Sequence, residues 1–331
     1  MVLEAAAPAE SRPLELRDVA VPEPAAGEVL VKMRACGVCR TDLHVVEGEL
    51  PDPKLPLVPG HQIVGTVDRV GEGVEGSVVG ERVGVPWLGG ADGTCQYCRR
   101  GYENLCERPT FTGYGRDGGY AEYVTARADF VLRLPEEYPD LQAAPLLCAG
   151  VIGYRALRLT EIEELDGPPR LGLYGFGASA RIVAQVARHL GHDVFVSTRG
   201  ERAQQLAHEL GARWVGGADE SPPVELDAAI IFAPAGPIVP AALRAVRRGG
   251  TVVCAGIHMS PIPELPYELL WGERVLRSVA NLTRTDGHEF IGLAPRFRIQ
   301  TKVQEFPLEE ANDALEQLKS GGLEGTAVLL P

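Results

Sequence analysis

Two hydrophobic patterns divide the chain, and each predicts its own kind of domain. In the first half, short runs of β-forming residues such as Glu28–Arg34 and Ile63–Val70 alternate with dense glycine and proline. Such runs predict many short strands joined by long loops, as in a barrel-like β domain. After Pro168 and Pro169, short apolar strands alternate with amphipathic helices, which predicts a doubly wound parallel sheet.

The alternation of apolar strands and amphipathic helices predicts most of the individual elements. A helix is predicted over Ala149–Leu159. The elements predicted after it are the strand Arg170–Tyr174, the helix Ala180–Leu190, the strand Asp193–Ser197, the helix Glu201–Leu210 and the strands Leu226–Phe232, Thr251–Ala255 and Arg274–Ser278. After about Leu282 the rhythm is lost, and the strand Thr301–Phe306, the helix Leu308–Ser320 and the strand Thr326–Leu330 are expected to return to the first domain. The sequence therefore predicts an α/β fold of two domains, 1–150 (completed by 288–331) and 151–287.

Charge and composition exclude several classes of protein. The 331 residues carry a formal net charge of −13, which repels nucleic acid and anionic membranes, so neither is expected as a partner. No apolar run approaches the roughly 20 residues of a membrane span, and the start of the chain lacks the pattern of a signal peptide. The expected location is the cytoplasm.

A glycine-rich turn follows the strand that starts at Arg170. Gly175-x-Gly177-x-x-Ala180 comes directly after that strand and opens a helix. Gly175 permits a tight turn, Gly177 lets the backbone approach a pyrophosphate, and the small Ala180 lets the helix pack on the sheet. The same motif occurs in ordinary strand–helix turns, but the further strand–helix units behind it favour dinucleotide binding.

The end of the next strand bears on the choice of cofactor. NAD-binding folds usually carry an acidic residue there for the ribose 2′-hydroxyl, whereas this strand ends Ser197-Thr198-Arg199. Two hydroxyls and a guanidinium suit a 2′-phosphate. NADP(H) is therefore favoured, with NAD(H) as the alternative if Arg199 is only a solvated loop residue.

Cysteine and histidine motifs carry the strongest chemical signal. The seven cysteines are odd in number and clustered, which in a reducing compartment indicates metal before disulfides. The motifs are Cys36-Gly-Val-Cys39-Arg-Thr41-Asp42-Leu-His44, Pro59-Gly60-His61-Gln62, Asp92-Gly-Thr-Cys95-Gln-Tyr-Cys98 with Cys106, and Leu147-Cys148-Ala-Gly150. In this order, and together with the glycine loop, they resemble the zinc-containing medium-chain dehydrogenase/reductase family, and within it bacterial alcohol dehydrogenases, over nearly the whole chain.

The resemblance implies a GroES-like catalytic domain beside a Rossmann domain, with Cys39, His61 and Cys148 as ligands of a catalytic zinc. Two thiolates and one imidazole leave a position open for substrate, as catalytic zinc requires. Asp42 matches a position that orients the ligating histidine. Gln62 stands where family members commonly carry glutamate, so it keeps hydrogen bonding and removes a charge near the metal.

The resemblance also implies a proton relay. Zinc lowers the pKa of the bound alcohol, Thr41 accepts its proton, and the proton passes through the cofactor ribose to His44 and solvent. Trp87 matches a wall of the substrate pocket. Outside this family pattern, His44 would be interpreted as a surface histidine and Trp87 as a core residue.

A second metal lobe is implied at Asp92, Cys95, Cys98 and Cys106. The family pattern has four cysteines here, and Asp92 takes the first position. A carboxylate with three thiolates can still bind zinc, although the hard oxygen weakens the site. The alternative is a lobe without metal and with three reduced cysteines.

Together these features predict a zinc-dependent alcohol dehydrogenase and aldehyde reductase. It would transfer hydride between NAD(P)(H) and a primary or secondary alcohol/carbonyl pair, with one catalytic and one structural zinc. The resemblance implies a homodimer or homotetramer paired through edge strands of the nucleotide domain. The alternatives are a zinc-free quinone or enoyl reductase of the same superfamily and a non-catalytic nucleotide-binding protein.

Overall fold

The structure is a computed structural model that describes residues 1–162, 167–217 and 220–331. Its strands are, in chain order, β1 (Val2–Leu3), β2 (Leu14–Glu15), β3 (Glu28–Val38), β4 (Gln62–Val70), β5 (Arg82–Val85), β6 (Leu88–Gly90), β7 (Thr110–Phe111), β8 (Tyr123–Arg127), β9 (Leu132–Arg133), β10 (Arg170–Tyr174), β11 (Asp193–Ser197), β12 (Trp214–Gly216), β13 (Leu226–Ile231), β14 (Val246–Cys254), β15 (Val275–Ser278), β16 (Val303–Pro307) and β17 (Thr326–Leu330). Its α-helices are α1 (Arg40–Val46), α2 (Asp140–Ala143), α3 (Ala149–Arg158), α4 (Ala178–His189), α5 (Glu201–Glu209), α6 (Ile238–Ala245), α7 (Arg284–Arg296) and α8 (Ala311–Ser320).

The chain forms two compact units. The first comprises Met1–Cys148, Asn281–Pro295 and Gln300–Pro331, and the second comprises Ala149–Ala280 and Arg296–Ile299. Sequence analysis placed the domain limits at 150/151 and 287/288. These limits stay a prediction.

The first unit is built on an antiparallel sheet around β3. The strand order is β16-β17-β3-β4-β5-β9, and β8 also pairs with β3. Alternate residues of β3 such as Val29, Val31 and Met33 are buried, because one face of the strand packs on the core. β17 lies antiparallel to β3, with Val328 opposite Gly37. The β-rich first half is confirmed, and the last strand of the chain completes its sheet.

The second unit is a parallel sheet with the order β12-β11-β10-β13-β14-β15. Its central strands are apolar throughout, and Leu171, Val196 and Ile230 are fully buried, as strands covered on both faces require. The observed order is that of a dinucleotide-binding fold, which confirms the predicted doubly wound sheet. The bounds of β10, β11 and β17 are those predicted.

Four helices escaped sequence analysis: α1, α2, α6 and α7. α1 begins directly after Cys39, inside the cysteine motif, and α7 lies where the periodic pattern was lost. Gly287, Gly292 and Pro295 interrupt α7 and obscure its period. The hydroxyl of Thr283 donates to Asp286 Oδ2 over 2.6 Å, a capping signal that marks its start. Among the described ranges of the chain, no helix has the length and apolar character of a membrane span.

Candidate active site

The three predicted ligands of the catalytic metal converge in the first unit. Cys39 precedes α1, His61 precedes β4, and Cys148 closes the segment before α3. Cys39 Sγ lies 3.3 Å from His61 Nε2 and 4.0 Å from Cys148 Sγ. Tetrahedral zinc, with bonds of about 2.3 Å to sulfur and 2.0–2.1 Å to nitrogen, places its ligand atoms roughly 3.5–3.8 Å apart. The donor set therefore fits zinc in both chemistry and spacing.

The pKa values of the two thiols of this cluster are shifted in opposite directions. The pKa of Cys39 lies well below its ordinary value, because Cys148 donates a hydrogen bond to it and the positive charge of His61 is close. The same hydrogen bond, together with burial, raises the pKa of Cys148. The shift of the Cys39 pKa favours its thiolate, the form in which cysteine binds a metal.

Asp42 fixes the orientation of His61. Asp42 Oδ1 accepts a hydrogen bond from His61 Nδ1 over 2.8 Å, so Nε2 is the nitrogen left to face Cys39. Both side chains are buried. Burial lowers the pKa of His61, but the negative charges of Asp42 and Cys39 outweigh it and raise that pKa to about 10. This is the hydrogen bond expected of a carboxylate that orients a ligating histidine.

A capping box explains how the cysteine motif folds. Cys39 is the N-cap of α1, and its sulfur accepts a hydrogen bond from the Thr41 N–H over 3.3 Å. Asp42 Oδ2 in turn accepts one from the Cys39 N–H over 2.9 Å. Cysteine takes the place of the usual serine or threonine in this motif. The Cys39-x-x-Asp42 spacing is the signal that would have predicted α1.

Trp87 and Gln62 surround His61. The ring of Trp87 meets that of His61 edge-on at 5.0 Å between centroids and stacks on Phe111 at 5.0 Å, so an aromatic wall lies beside the metal ligands. Gln62 is buried, and its amide oxygen and nitrogen have no hydrogen-bond partner among the described residues. The expectation that Gln62 keeps the hydrogen bonding of a glutamate stays a prediction.

Both predicted relay residues lie on α1. Thr41 and His44 are three positions apart, a spacing that puts them on one side of the helix. Thr41 is buried, whereas the side chain of His44 is 12% exposed. His44 Nδ1 is hydrogen-bonded to Glu49 Oε2. Sequence analysis did not single out Glu49.

The second cluster lies on a surface loop. One ligand atom from each of its members lies within 4.8 Å of the others, and these members are Asp92, Cys95, Cys98 and Cys106. Asp92 Oδ1 accepts hydrogen bonds of 2.8 Å from the N–H groups of Thr94 and Cys95. The Asp92 N–H and the Arg108 N–H point at Cys106 Sγ, at 3.3 and 3.4 Å. Backbone N–H groups directed at ligand atoms hold the loop in shape for a cation.

Ionisation in this loop also suits a cation. Hydrogen bonds from the Cys95 and Thr94 N–H groups hold the pKa of Asp92 well below its usual range. The Cys98 N–H lowers the pKa of Cys95 in the same way. Burial and the neighbouring thiols of Cys95 and Cys106 raise the pKa of Cys98 to about 12. These shifts favour the anionic forms of Asp92 and Cys95, and the donor set fits zinc.

The glycine loop of the second unit has the predicted form. Gly175 has φ +87° and makes the turn from β10, and an added Cβ there would lie 2.9 Å from the Ala233 nitrogen. At Gly177 an added Cβ would meet no atom within 4 Å, so the backbone before α4 is open to a ligand. Ala180 is fully buried. These are the roles that a dinucleotide loop assigns to the three positions.

The end of β11 differs in part from expectation. The hydroxyl of Ser197 donates to the Gly217 carbonyl over 3.0 Å, which ties β11 to the end of β12. Thr198 is buried, and Arg199 is exposed with no ion pair to a described residue. Of the three predicted contacts, Arg199 is the one whose charge is available.

Arg181 is a cation that sequence analysis missed. It lies in α4, one residue after the glycine motif, and its Nε donates to the Phe176 carbonyl of the loop over 3.1 Å. Burial and the positive charge of Arg202 lower its pKa. An arginine directly after the motif, on a helix whose first turn holds no acidic residue, is the signal that could have predicted it.

Comparison with known proteins agrees with this architecture. Residues 25–136 match the alcohol dehydrogenase GroES-like domain family. A probable alcohol dehydrogenase, AdhA, of Mycobacterium tuberculosis is 50% identical, over 98% of this chain and 94% of that protein. An alcohol dehydrogenase of Geobacillus stearothermophilus is 37% identical over 96% of both chains. The structure of acetophenone reductase from Geotrichum candidum in complex with NAD superposes with a TM-score of 0.86 at 28% identity, over 100% of this chain and 96% of that one.

Fold, ligand clusters and relatives together define an oxidoreductase that acts on CH–OH groups. The chain belongs to the zinc-type medium-chain dehydrogenase/reductase family, among its alcohol dehydrogenases. The family, the fold and the enzyme class predicted from the sequence are confirmed.

Proposed function

We propose that this alcohol dehydrogenase depends on zinc held by Cys39, His61 and Cys148. The convergence of these three donors, with no fourth donor in the cluster among the residues that the structure describes, is the observation that carries the proposal. Three protein ligands are typical of catalytic zinc, whereas structural sites have four. Zinc, when bound, acts as a Lewis acid that polarises a carbonyl and favours ionisation of an alcohol.

The chain's own residues orient the substrate and move its proton. Thr41 holds the substrate hydroxyl and accepts its proton during oxidation, and His44 passes a proton to solvent. Asp42 keeps the Nε2 lone pair of His61 available for the metal. Trp87 provides an apolar wall, so the proposed substrates are primary or secondary alcohols and the matching aldehydes or ketones.

A second zinc is proposed at Asp92, Cys95, Cys98 and Cys106. Four donors within hydrogen-bonding range of backbone N–H groups resemble a structural site, which contributes to folding and not to chemistry. Its closely spaced thiols need a reducing compartment, which supports the cytoplasm as the proposed location.

NADP(H) is the proposed cofactor, with NAD(H) as the alternative. Arg199 at the end of β11 and Arg181 above the glycine loop offer two guanidinium groups in the region where a 2′-phosphate binds. No carboxylate stands at the end of β11. The related acetophenone reductase carries NAD, which keeps the alternative open.

A homodimer or homotetramer is proposed through β15. This strand is the last of its sheet and leaves one edge unpaired within the described residues. Val275 on that strand, Trp271 and Tyr267 are exposed near this edge. Sedimentation velocity of the wild type and of Trp271→Asp tests the interface, and a wild-type monomer would contradict it.

The oxidation of NADPH and NADH with a small panel of aldehydes, before and after zinc is stripped, tests the main proposal. NADPH turnover that disappears with the metal and returns on adding zinc is expected. Turnover with NADH alone keeps the enzyme class and contradicts the 2′-phosphate argument. Turnover that survives verified loss of zinc moves the enzyme to the zinc-free reductase branch. Arg199→Ala should raise the KM for NADPH about tenfold or more while leaving that for NADH unchanged.

A further inference from the structure

The carboxylate of Glu49 lies against the histidine of the proposed relay. Glu49 Oε2 and His44 Nδ1 are hydrogen-bonded. The side chain of His44 is 12% exposed and that of Glu49 is 50% exposed, so the pair joins a sheltered ring to a solvated charge. Neither the metal ligands nor the predicted relay accounts for this contact.

The end of α1 explains why these two residues meet. The helix ends at Val46, and the chain then turns through Gly48, which has φ +75°. The Glu49 N–H bonds to the His44 carbonyl at 2.9 Å, and the Gly48 N–H bonds to the Val45 carbonyl at 3.2 Å. This is a Schellman motif, in which the N–H of the second residue after the C-cap bonds to the carbonyl of the third residue before the C-cap. The motif brings these two residues together. An apolar pair commonly occupies these two positions, whereas here they hold a histidine and a carboxylate.

The contact fixes which ring nitrogen carries the proton. An ionised carboxylate can only accept hydrogen bonds, so His44 Nδ1 must be the donor. In the neutral ring, Nε2 is then the nitrogen that carries no proton and can take one up. When it does so, an N–H bond forms at Nε2, the ring becomes a cation, and Glu49 supplies the opposite charge until Nε2 releases the proton to water.

The same arrangement occurs once more around α1, at the metal ligand. Asp42 accepts from His61 Nδ1 over 2.8 Å and leaves Nε2 facing Cys39. There the pair is buried and serves a metal, whereas at His44 the pair reaches solvent and would serve a proton. Two histidines near one short helix thus have their tautomers set by carboxylates.

We propose that Glu49 is a positioning residue of the proton relay, which holds His44 in the tautomer that accepts a proton at Nε2. This inference rests on the proposed relay role of His44. A half-exposed carboxylate contributes less than a buried one, so the expected loss on its removal is roughly threefold to tenfold in kcat, and far smaller than the loss of about 10⁴ seen when a buried triad carboxylate is neutralised.

Four variants of the zinc-loaded enzyme separate this role from a structural one: Glu49→Gln, Glu49→Asp, His44→Gln and the double variant. Asp52→Asn removes one negative charge from the same loop and is the matched control. The readouts are kcat for alcohol oxidation, the melting temperature, and the ¹⁵N shifts of the His44 ring, assigned by comparison with His44→Gln.

Glu49→Gln should lower kcat threefold to tenfold and let the tautomer with the proton on Nε2 appear, because an amide can donate as well as accept. Glu49→Asp should restore much of kcat, and Asp52→Asn should change neither readout. In the His44→Gln background, Glu49→Gln should have no further effect on kcat.

Four results would overturn the inference. Unchanged ring shifts and unchanged kcat in Glu49→Gln would show that the carboxylate does not act on His44. An equal loss of kcat with and without His44 would show that Glu49 acts through the fold. If His44→Gln leaves kcat unchanged, His44 is not a relay residue, and both the relay role and the inference are wrong. If His44→Gln lowers kcat and Glu49→Gln does not, only the inference is wrong.

Discussion

The two ligand clusters of this enzyme are built in opposite ways. Cys39 and Cys148 of the catalytic cluster are separated by 109 positions in the chain, and His61 between them is fully buried. Asp92 and Cys106 of the surface loop are separated by 14 positions, and each ligand atom is fixed by nearby backbone N–H groups. The catalytic cluster therefore forms only when the sheet of the first unit has folded. The surface loop shapes its own ligands.

The residues that support the two clusters also differ: those of the catalytic cluster are buried, and those of the surface loop are exposed. Asp42, which supports the catalytic cluster, is buried and makes hydrogen bonds with both oxygens. Arg108, which contacts Asp92 at 3.3 Å, is 77% exposed. A charge in the interior is screened much less than one in water. Substitutions around the catalytic cluster should therefore cost more than equivalent ones around the loop.

The sharpest test of this comparison replaces one cysteine in each cluster. Cys148→Ser should lower kcat/KM by about 10³-fold or more, since the Lewis acid supplies several kcal/mol to the transition state. Cys106→Ser should leave kcat/KM within about threefold at a temperature where the variant is folded, and lower the melting temperature instead. Steady-state kinetics and zinc content per chain measure both. Equal losses of activity would break the comparison.

A second test concerns the support of the metal ligand. Asp42→Asn removes the charge and permits the wrong tautomer of His61, so zinc affinity or activity should fall about 10- to 100-fold. Competition with a chromogenic chelator gives the affinity, and kinetics give the activity. A loss below twofold in both would show that the buried hydrogen bond does not orient the ligand.

A third test exchanges the unusual ligand of the surface loop. Asp92→Cys restores a soft thiolate, so zinc should be retained against chelator about tenfold better, while Asp92→Ala should lose it. Neither change should alter kcat of the folded enzyme. Zinc content after dialysis against chelator measures retention. Equal retention in all three proteins would mean that the carboxylate is not a ligand.

The smallest effect is expected at Arg108. Its guanidinium is exposed, and exposed ion pairs contribute about 0.2–1 kcal/mol. Arg108→Ala should therefore change zinc retention by less than about threefold, with a smaller change in 0.5 M salt than in dilute buffer. A tenfold loss would show that the loop depends on charges outside its ligands, contrary to the comparison.

Sequence analysis predicted the family, both sets of candidate ligands and the doubly wound parallel sheet, because each of these depends on residue types at fixed spacing. Arg170–Tyr174 and Asp193–Ser197 became β10 and β11 with the predicted bounds, since apolar strands covered on both faces have a strong pattern. The ligand assignments gain geometric support from the clusters but stay predictions until metal is measured.

The side-chain contacts that sequence analysis missed depend on how local turns orient the side chains. The hydroxyl of Ser197 belongs to the sequence signal for a phosphate, yet in the structure it donates to the carbonyl of Gly217, directly after β12. Glu49 reaches His44 because the chain reverses at Gly48, and Arg181 reaches the glycine loop because of its place in the second turn of α4. The pairing between strands and the direction of a capped helix belong to the tertiary structure, and residue spacing alone does not predict them.

The position of β17 beside β3 has a consequence for biosynthesis. Every residue of the catalytic cluster lies within the first 148 positions, but β3, which leads to Cys39, is flanked by residues 326–330. On the ribosome, the second unit can fold as soon as its last residue, Ile299, has emerged, whereas the sheet behind the catalytic cluster waits for the last strand to be made. A nascent chain would therefore complete the unit that carries the glycine loop before the one that carries the proposed zinc ligands.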